Sequence, residues 1–416
     1  MDTWTGLLSP WIAGSFSILG SHDGGNGVLN SMGLKARVKG RVDVMNRERK
    51  QQARYSPDIV IFLITLALLS IGVVMVFSAS SVSARAVYDD TYYFLKRQLA
   101  WAGLGLVTMI ITMQVDYRIW KKVAWLALIA TILLLIAVLI PGIGVAIRGS
   151  RRWIDIGPIP FQPSEIAKIV MVLFMASFLS DRIGRIHKFS QGLLAPLVIL
   201  GVVFGLIVLE PDFGTGGTIV AVSLMMLFAA GARSIHLLSL AALGVPGLVV
   251  MAIAAPYRAR RFLAFLDPWE DPLGSGFHII QSLLALGSGG LFGVGLGRSR
   301  QKFLYLPMQH TDFIFAIIGE ELGFTGAAMV LIFYFLFAWR GLRIAIATSD
   351  AFGKLLAVGI TTMIVFQAII NIGVVSGVLP ITGITLPLIS SGGSSLVTTL
   401  AAIGVLLNIS KHSTLR

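Results

Sequence analysis

Residues 256–323 read PYRARRFLAFLDPWEDPLGSGFHIIQSLLALGSGGLFGVGLGRSRQKFLYLPMQHTDFIFAIIGEELG, a polar and glycine-rich stretch in a chain that is otherwise largely apolar. Three acids, Asp312, Glu320 and Glu321, lie near its end, where an apolar run begins. Ionisable side chains cost free energy next to hydrocarbon and usually have a function there. We therefore interpret the rest of the chain as a membrane frame that holds this stretch at one face of a bilayer.

The composition indicates an integral membrane protein. Of the 416 residues, 56% are hydrophobic and only 13% are charged, and the mean hydropathy of +0.85 lies outside the usual range of soluble domains. The apolar runs are long and contain several glycines and prolines, whereas outer-membrane strands would give short alternating segments. The sequence therefore predicts an all-α integral membrane fold.

The charge and the absence of cysteine exclude several classes of function. The net charge is +13, but the basic residues lie in short clusters between apolar runs, where membrane topology and anionic lipid account for them. We therefore expect no nucleic-acid partner. A chain without cysteine has no disulfide, no thiolate nucleophile and no cysteine-type zinc site. The first strong apolar run begins near Ile59 at full span length, so we expect no cleaved signal.

Ten transmembrane helices are predicted, because crossing about 30 Å of hydrocarbon takes ~17 to 25 apolar residues. Eight runs of this length lie at about 59–79, 98–115, 122–141, 161–180, 190–209, 213–232, 235–255 and 312–339. Residues 355–410 hold two more, separated by the breakers Pro380, Gly383 and Pro387. The predicted membrane domain is 55–410, after a basic, disordered cytoplasmic extension at 1–54 and before a cytoplasmic tail at 411–416.

The distribution of basic residues predicts the orientation. With a cytoplasmic N-terminus, the segments on the inner side carry 20 Lys and Arg residues and those on the outer side carry 12. Ten spans then leave both the N- and C-termini in the cytoplasm. Residues 256–311 become a large extracytoplasmic loop between spans seven and eight.

The outer cations are concentrated in two places. Six lie in the 256–311 loop, Arg258 and Arg261 among them, and three lie in the run RGSRRW, which includes Arg152. Cations on the side that topology disfavours suggest an anionic ligand. The alternative is that long loops translocate regardless of charge, which explains the short loop at 142–160 less well.

The three acids near the end of the quoted stretch each have two explanations. Asp312 is either a carboxylate at a helix N-terminus, stabilised by the helix dipole, or a general base that accepts a proton from a substrate hydroxyl. Glu320 and Glu321 point ~100° apart on a helix, so we expect that they do not face one partner. Both structural pairing with a buried donor and a substrate role remain open for them.

Further polar residues lie at the predicted outer ends of other spans. Glu165 and Lys168, in FQPSEIAK, are spaced i, i+3 and form either a neutralising pair or a charged cavity wall. Asp212, in EPDFGTG, is a loop or cap residue on its own evidence. The run GSGGLFGVGLG lacks the strand and the Lys-Ser/Thr of a nucleotide loop. His310 has no partner at metal-ligand spacing, so no metal-binding residue is predicted.

Taken together, these motifs resemble the SEDS proteins (shape, elongation, division, sporulation) of bacteria. The resemblance covers about residues 55–410. It is carried by PYRARRFLAFLDPWEDPLGSGFHIIQS, HTDFIFAIIGEELG, GSRRWIDIG, FQPSEIAK, EPDFGT and LPLISSGGSSL. DPWEDP, IIGEELG and TLPLIS are more similar to the FtsW and SpoVE branch than to the RodA branch. The chain departs from the pattern at Ser391 and in its long N-terminal extension.

The resemblance implies a peptidoglycan glycosyltransferase that polymerises lipid II at the outer face of the bacterial cytoplasmic membrane during division or sporulation. It also implies a class B penicillin-binding transpeptidase and other divisome proteins as partners. The essential aspartate of the family matches Asp312, its Glu/Lys pair matches Glu165 and Lys168, and its cavity arginine matches Arg152. We expect the remaining substrate-binding residues to be Asp212, Arg258, Arg261, Gln281, His310 and Glu320.

The predicted reaction is inverting. Asp312 would take the proton of the acceptor hydroxyl, while Arg152 and the loop cations steady the departing lipid pyrophosphate. A divalent cation, Mg²⁺ or Mn²⁺, could assist if it is held mainly by pyrophosphate oxygens. The alternative function is a lipid II flippase, for which the outer-face position of the charged residues and the lack of an internal repeat are unfavourable. A non-catalytic scaffold would leave the acids around Asp312 unexplained.

Overall fold

The computed structural model describes residues 56–147, 150–156, 159–253, 256–302 and 309–414. The described chain is predominantly helical, as predicted. The α-helices are α1 Ile59–Tyr88, α2 Tyr93–Gln114, α3 Tyr117–Leu139, α4 Pro163–Ser180, α5 Leu194–Leu209, α6 Phe213–Ala229, α7 Ser234–Ile253, α8 Pro256–Leu266, α9 Phe277–Ser288, α10 Ile314–Ala347, α11 Ala351–Val375 and α12 Gly393–Lys411. The predicted extension at 1–54 and the last two residues of the tail lie outside the described residues.

Eight helices of the described chain are long and apolar enough to cross a membrane. They are α1, α2, α3, α4, α10, α11, α12 and the continuous Phe189–Leu209, in which a π-helical turn runs into α5. The other two predicted spans correspond to α6, which is apolar but 17 residues long, and to α7. The protein is therefore an integral membrane protein, with eight candidate spans where the sequence predicts ten.

A small antiparallel sheet, which we did not predict, connects α3 to α4. It consists of β1 Gly144–Ile147, β2 Ser150–Ile156 and β3 Ile159–Phe161, paired in that order. Its residues alternate only over three to seven positions, too short a signal to be read against the apolar runs on either side. The central strand β2 carries Arg152, so the sheet fixes the position of the Arg152 backbone.

One end of the bundle brings together the beginning and the end of the described chain. The backbone N–H of Asp58, which caps α1, donates to Ser410 Oγ at the end of α12 (2.9 Å). The Asp58 carboxylate pairs with Arg340 near the end of α10 at 2.7 Å. The backbone N–H of Thr414 donates to the carbonyl of Ala347 (3.2 Å). The start of α1 and the ends of α10 and α12 therefore lie at the same end of the helix bundle.

The helix α10 is broken at Gly323, where φ is 67° and ψ is −165°. A glycine loop (residues 289–302) fills the break: Val294 N–H and Gly295 N–H donate to the carbonyls of Glu320 and Glu321, each at 3.0 Å. Phe324 N–H in turn donates to Gly290 O (2.9 Å). The loop thus supplies partners for backbone groups that a continuous helix would have paired internally.

Between α11 and α12 the chain forms an irregular segment (residues 376–392), in which residues 384–390 are mostly buried in the bundle. The Tyr334 hydroxyl donates to Pro387 O, and a β-carbon placed on Gly72 of α1 would lie 2.5 Å from Leu388 O. The helices α1 and α10 thus contact the irregular segment at Gly72 and Tyr334, respectively. Non-helical backbone at membrane depth is tolerated only where protein covers it or where it lines a cavity.

Candidate functional site

Asp312 lies immediately before Phe313, which is the N-cap residue of α10. Asp312 therefore lies at the N-terminal end of the helix, one residue before the N-cap position, and both explanations given for its carboxylate stay predictions. Its main chain is fixed to the irregular segment by Asn371, whose Nδ2 donates to Asp312 O and to Ile384 O, each at 2.7 Å. Asn371 is buried and Asp312 is half-buried. The backbone is fixed while the residue keeps partial access to solvent.

Gly383 of the irregular segment lies opposite the Asp312 carboxylate. It is exposed and has a φ of 74°, and a β-carbon placed on it would lie 3.7 Å from Asp312 Oδ2. The residues around this point are tied together, because Ser390 Oγ donates to Thr311 O (2.6 Å) and Ser391 N–H donates to His310 O (3.0 Å). A glycine here leaves space next to the carboxylate for another group.

The Glu165 and Lys168 side chains form a buried ion pair at 2.9 Å, which confirms the predicted pairing. The Lys168 ammonium also donates to Gln367 Oε1 (2.7 Å), and Gln367 Nε2 donates to Thr385 O (3.0 Å). A buried ion pair of this kind needs additional hydrogen bonds to offset its desolvation. Gln367 provides one and at the same time connects the pair to the irregular segment.

Gln367 and Asn371 lie one turn apart on the same face of α11, about 6 Å along the helix axis. One holds the Lys168 ammonium and the other holds the Asp312 backbone. Sequence reasoning missed both residues. The signal was present as two amides in the otherwise apolar run TTMIVFQAIINIGVV, since polar side chains inside a span usually have a partner.

Arg152 reaches from β2 to the turn between α5 and α6. Its Nε donates to Glu210 O (3.0 Å), its Nη2 donates to Pro211 O, and its Nη1 lies 3.9 Å from Asp212 Oδ1. Asp212 caps α6 by accepting from Thr215 N–H (3.2 Å). The cap role expected for Asp212 is therefore present, together with an ion pair that the sequence did not reveal.

The start of α6 also contacts the irregular segment. A β-carbon placed on Gly214 would lie 2.7 Å from Ile384 Cγ1 and 2.9 Å from Thr382 O. Residues 382–385 are thus bordered by the Asp312 backbone, by the Lys168 ion pair through Gln367, and by the corner that holds Arg152 and Asp212. Asp312, the Lys168 ion pair and the corner with Arg152 are far apart in the sequence, and the fold places them around residues 382–385.

Glu210, just outside the end of α5, is a buried acid that sequence reasoning missed. Its side chain is fully buried, and neither carboxyl oxygen has a hydrogen-bond partner in the described structure. Burial raises the pKa of Glu210 to about 8, and the neighbouring Asp212 acts in the same direction while Arg152 opposes it. The acid is therefore largely protonated at neutral pH.

Glu320 and Glu321 are buried and bind the glycine loop. Arg300 N–H and Ser299 Oγ donate to Glu320, whereas Ser299 N–H (3.3 Å) and the Lys302 ammonium (3.6 Å) approach Glu321. Our expectation that the two acids do not face one partner is wrong, because Ser299 lies in a loop that crosses the helix and reaches both. These contacts account for Glu320 structurally, and its role toward substrate stays a prediction.

Of the remaining predicted substrate residues, His310 is joined to this site by its backbone oxygen, which accepts from Ser391 N–H (3.0 Å). The His310 ring packs on Phe94 with the ring centroids 4.4 Å apart, and Gln281 is half-buried on α9. Arg258 and Arg261 lie on α8, and their side chains are outside the described part of the structure. Their roles stay predictions. No three His, Asp or Glu side chains of the described residues could together hold a metal ion.

Comparison with known proteins identifies the family. A family model described as cell cycle protein, covering FtsW, RodA and SpoVE, matches residues 59–415. The chain is 50% identical over 358 residues to stage V sporulation protein E of Bacillus subtilis, covering 86% of this chain and 98% of that protein. It is 45% identical over 361 residues to the probable peptidoglycan glycosyltransferase FtsW of Geobacter metallireducens, covering 87% of this chain and 96% of that protein.

A solved structure agrees with these relatives. One chain of a peptidoglycan synthase complex that coordinates polymerization and crosslinking superposes with a TM-score of 0.71 at 33% identity, covering 85% of this chain and 97% of that chain. The resemblance inferred from the motifs, including the similarity to the FtsW and SpoVE branch, is confirmed. The chain belongs to the FtsW/RodA/SpoVE family of cell cycle proteins.

Proposed function

We infer that the protein is a peptidoglycan glycosyltransferase that polymerises lipid II into glycan strands. The observation that carries this proposal is the half-buried Asp312 carboxylate beside the open space at Gly383. The Lys168 ion pair is linked through Gln367, and the corner that holds Arg152 is linked through Gly214, to the same four residues of the irregular segment. An acid next to open space and two nearby cations suit a reaction in which a hydroxyl loses a proton and a pyrophosphate departs. A relative with 45% identity bears the name probable peptidoglycan glycosyltransferase FtsW.

The reaction can be written with these residues in place. The acceptor sugar hydroxyl gives its proton to the Asp312 carboxylate as its oxygen attacks the anomeric carbon of the donor. The bond from that carbon to the lipid pyrophosphate breaks, and the pyrophosphate leaves with the electron pair. Attack opposite the leaving group inverts an α-linked donor into a β-linked glycan. Arg152 and Lys168 supply positive charge for the developing anion.

We further propose ten spans in the bacterial cytoplasmic membrane, cytoplasmic termini, the 256–311 loop outside and an extracytoplasmic site. The contact between Asp58 and Ser410 supports this topology, because a chain that begins and ends at one level crosses the membrane an even number of times. The eight candidate spans together with α6 and α7 supply ten. The excess of inner Lys and Arg residues supports the orientation.

The proposed partners are a class B penicillin-binding transpeptidase and other divisome proteins. A chain of a peptidoglycan synthase complex with a similar fold supports the first of these. Any divalent cation, Mg²⁺ or Mn²⁺, would be held mainly by the oxygens of the substrate pyrophosphate, because Asp212 already pairs with Arg152 and accepts a hydrogen bond from Gln162 (3.1 Å). No step of the reaction above depends on that cation.

Polymerisation of lipid II by the purified protein in detergent tests the proposal. We expect glycan product from the wild type and none from Asp312→Asn. A matched control is Asp89→Asn, because Asp89 is exposed and has a φ of 52°, a conformation that asparagine also tolerates. Polymer needs no membrane sidedness, whereas flipping requires a sealed bilayer, so product from Asp312→Asn, or flipping in vesicles without any polymer, would overturn the proposal.

A further inference from the structure

Glu210 differs from every other acid described around the site. Arg152 binds the main-chain oxygen of Glu210 at 3.0 Å, while the Glu210 carboxyl group itself is fully buried with neither oxygen hydrogen-bonded among the described residues. An unpaired buried carboxylate would carry a large desolvation cost. The burial of the Glu210 carboxyl group without a hydrogen-bond partner is therefore best explained by its uncharged form.

The charged groups around Glu210 are few. The elements packed against α5 are α3, α4, α6 and the π-helical turn that precedes it. The outer half of α3, and all of α5 and α6, contain no charged residue, and the two charges at the outer end of α4, Glu165 and Lys168, neutralise each other. Arg152 and Asp212 are therefore the charged groups that act on Glu210.

Glu210 and Asp212, which lie in one turn, thus have a single arginine, Arg152, as their neighbouring cation. With Glu210 protonated, the side chains of Arg152, Glu210 and Asp212 have a net charge of zero, and with Glu210 ionised their net charge is −1. A negative cluster repels a pyrophosphate, and an ionised Glu210 also competes for the Arg152 guanidinium. We propose that Glu210 is a positioning residue whose uncharged form keeps Arg152 available to the anionic group of the substrate.

The proposal rests on the proposed function. It predicts that Glu210 affects substrate binding more than proton transfer to Asp312. Glu210 acts through Arg152 and not through the proton acceptor Asp312, so its ionisation raises KM for the anionic substrate and lowers kcat only as far as Arg152 stabilises the departing pyrophosphate. The raised pKa of Glu210 puts this change on the alkaline side, near pH 8. A residue that only fills space would not give KM a titration of its own.

The experiment measures kcat and KM for lipid II from pH 6.5 to 9.5 in the wild type, in Glu210→Gln and in the control Glu270→Gln, which removes an exposed acid. We expect the wild-type and control KM to rise roughly tenfold through pH 8, the effect of one charge at close range. Glu210→Gln, which is isosteric and uncharged, should keep a flat KM and near-normal activity at pH 7. An alkaline rise that persists in Glu210→Gln overturns the proposal, as does folded Glu210→Gln without activity at pH 7.

A binding measurement makes the test independent of turnover. Undecaprenyl pyrophosphate in detergent micelles should bind the wild type more weakly at pH 9 than at pH 7, and should bind Glu210→Gln equally at both. If the wild type binds undecaprenyl pyrophosphate with this pH dependence but does not polymerise lipid II, the proposed function is wrong and the inference about Glu210 still holds. If Glu210→Gln does not fold, Glu210→Met replaces it, and failure of both to fold would overturn the proposal by assigning the acid to folding.

Discussion

Gln367 and Asn371 project from consecutive turns of α11 and hold the Lys168 ammonium and the Asp312 backbone, respectively, each at 2.7 Å. Both amides also bind neighbouring carbonyls of the irregular segment, Thr385 O and Ile384 O. The distance between the Asp312 backbone and the Glu165–Lys168 ion pair is therefore set by one helix. This relationship predicts that variants at either amide affect catalysis without any contact to substrate.

Asn371→Leu should reduce polymerisation by at least about tenfold. It removes two hydrogen bonds to carbonyls, one of them on the buried Ile384, a loss of roughly 1–3 kcal/mol per unsatisfied buried group, and it frees the backbone at Asp312. The control is Ser376→Ala at the C-cap of the same helix, since the described hydrogen bonds of Ser376 Oγ go to the carbonyls of Ile372 and Gly373 in the last turn of that helix. The polymerisation rate is measured on variants whose folding has been confirmed. Wild-type activity in Asn371→Leu would show that the hydrogen bonds of Asn371 are not needed for the reaction.

The Glu165–Lys168 pair can be separated into a structural and a functional part. Lys168→Met leaves a buried Glu165 without its partner, which costs about 3–5 kcal/mol. Adding Glu165→Gln removes that charge, so we expect the double variant to regain most of the thermal stability while polymerisation stays low. Thermal unfolding and polymer yield are measured side by side. A double variant that recovers both would mean that the pair only supports the fold.

Much of this arrangement could be predicted, but not its connections. The breakers Pro380, Gly383 and Pro387 correctly predicted that two helices would be separated within 355–410, because length and turn signals are local. That the intervening chain folds back into the bundle is not local. It depends on Gly72 and Tyr334, which lie 316 and 53 residues away from Leu388 and Pro387. The motifs pointed to Arg152, Lys168 and Asp312 separately, and only the fold brings them to residues 382–385.

Gly383→Ala should lower activity more than stability explains. The new methyl group would lie 3.7 Å from Asp312 Oδ2, where it takes up space and displaces water near the carboxylate. Gly377→Ala is a matched control, because its φ of 71° imposes a similar backbone strain next to Leu283 and Ile279 instead. We expect comparable losses of stability, about 1–2 kcal/mol each, and a fall in polymerisation for Gly383→Ala alone. Equal activities would remove Gly383 from the site.

The glycine loop and the broken helix should depend on each other. A β-carbon on Gly293 would lie 2.1 Å from Glu321 O, a backbone atom that cannot move aside, so Gly293→Ala should separate the loop from α10. Gly295→Ala also has a positive φ but meets nothing closer than Arg298 Cδ at 3.5 Å. Thermal unfolding in detergent should show the larger loss for Gly293→Ala. The reverse order would contradict the assigned packing.

The pKa of Glu210 predicts how stability depends on pH. The folded protein keeps the Glu210 proton up to a pH of about 8, whereas the unfolded chain releases it near the ordinary value of 4.5. Folding therefore binds a proton between these two values. The associated stability is fully present below pH 4.5, declines as the pH rises and is lost above about 8. Because Glu210→Gln has no such proton, its melting temperature relative to the wild type should increase from pH 5 to pH 9. A difference that stays constant across this range would mean that Glu210 is ionised in the folded protein or that its pKa is not raised.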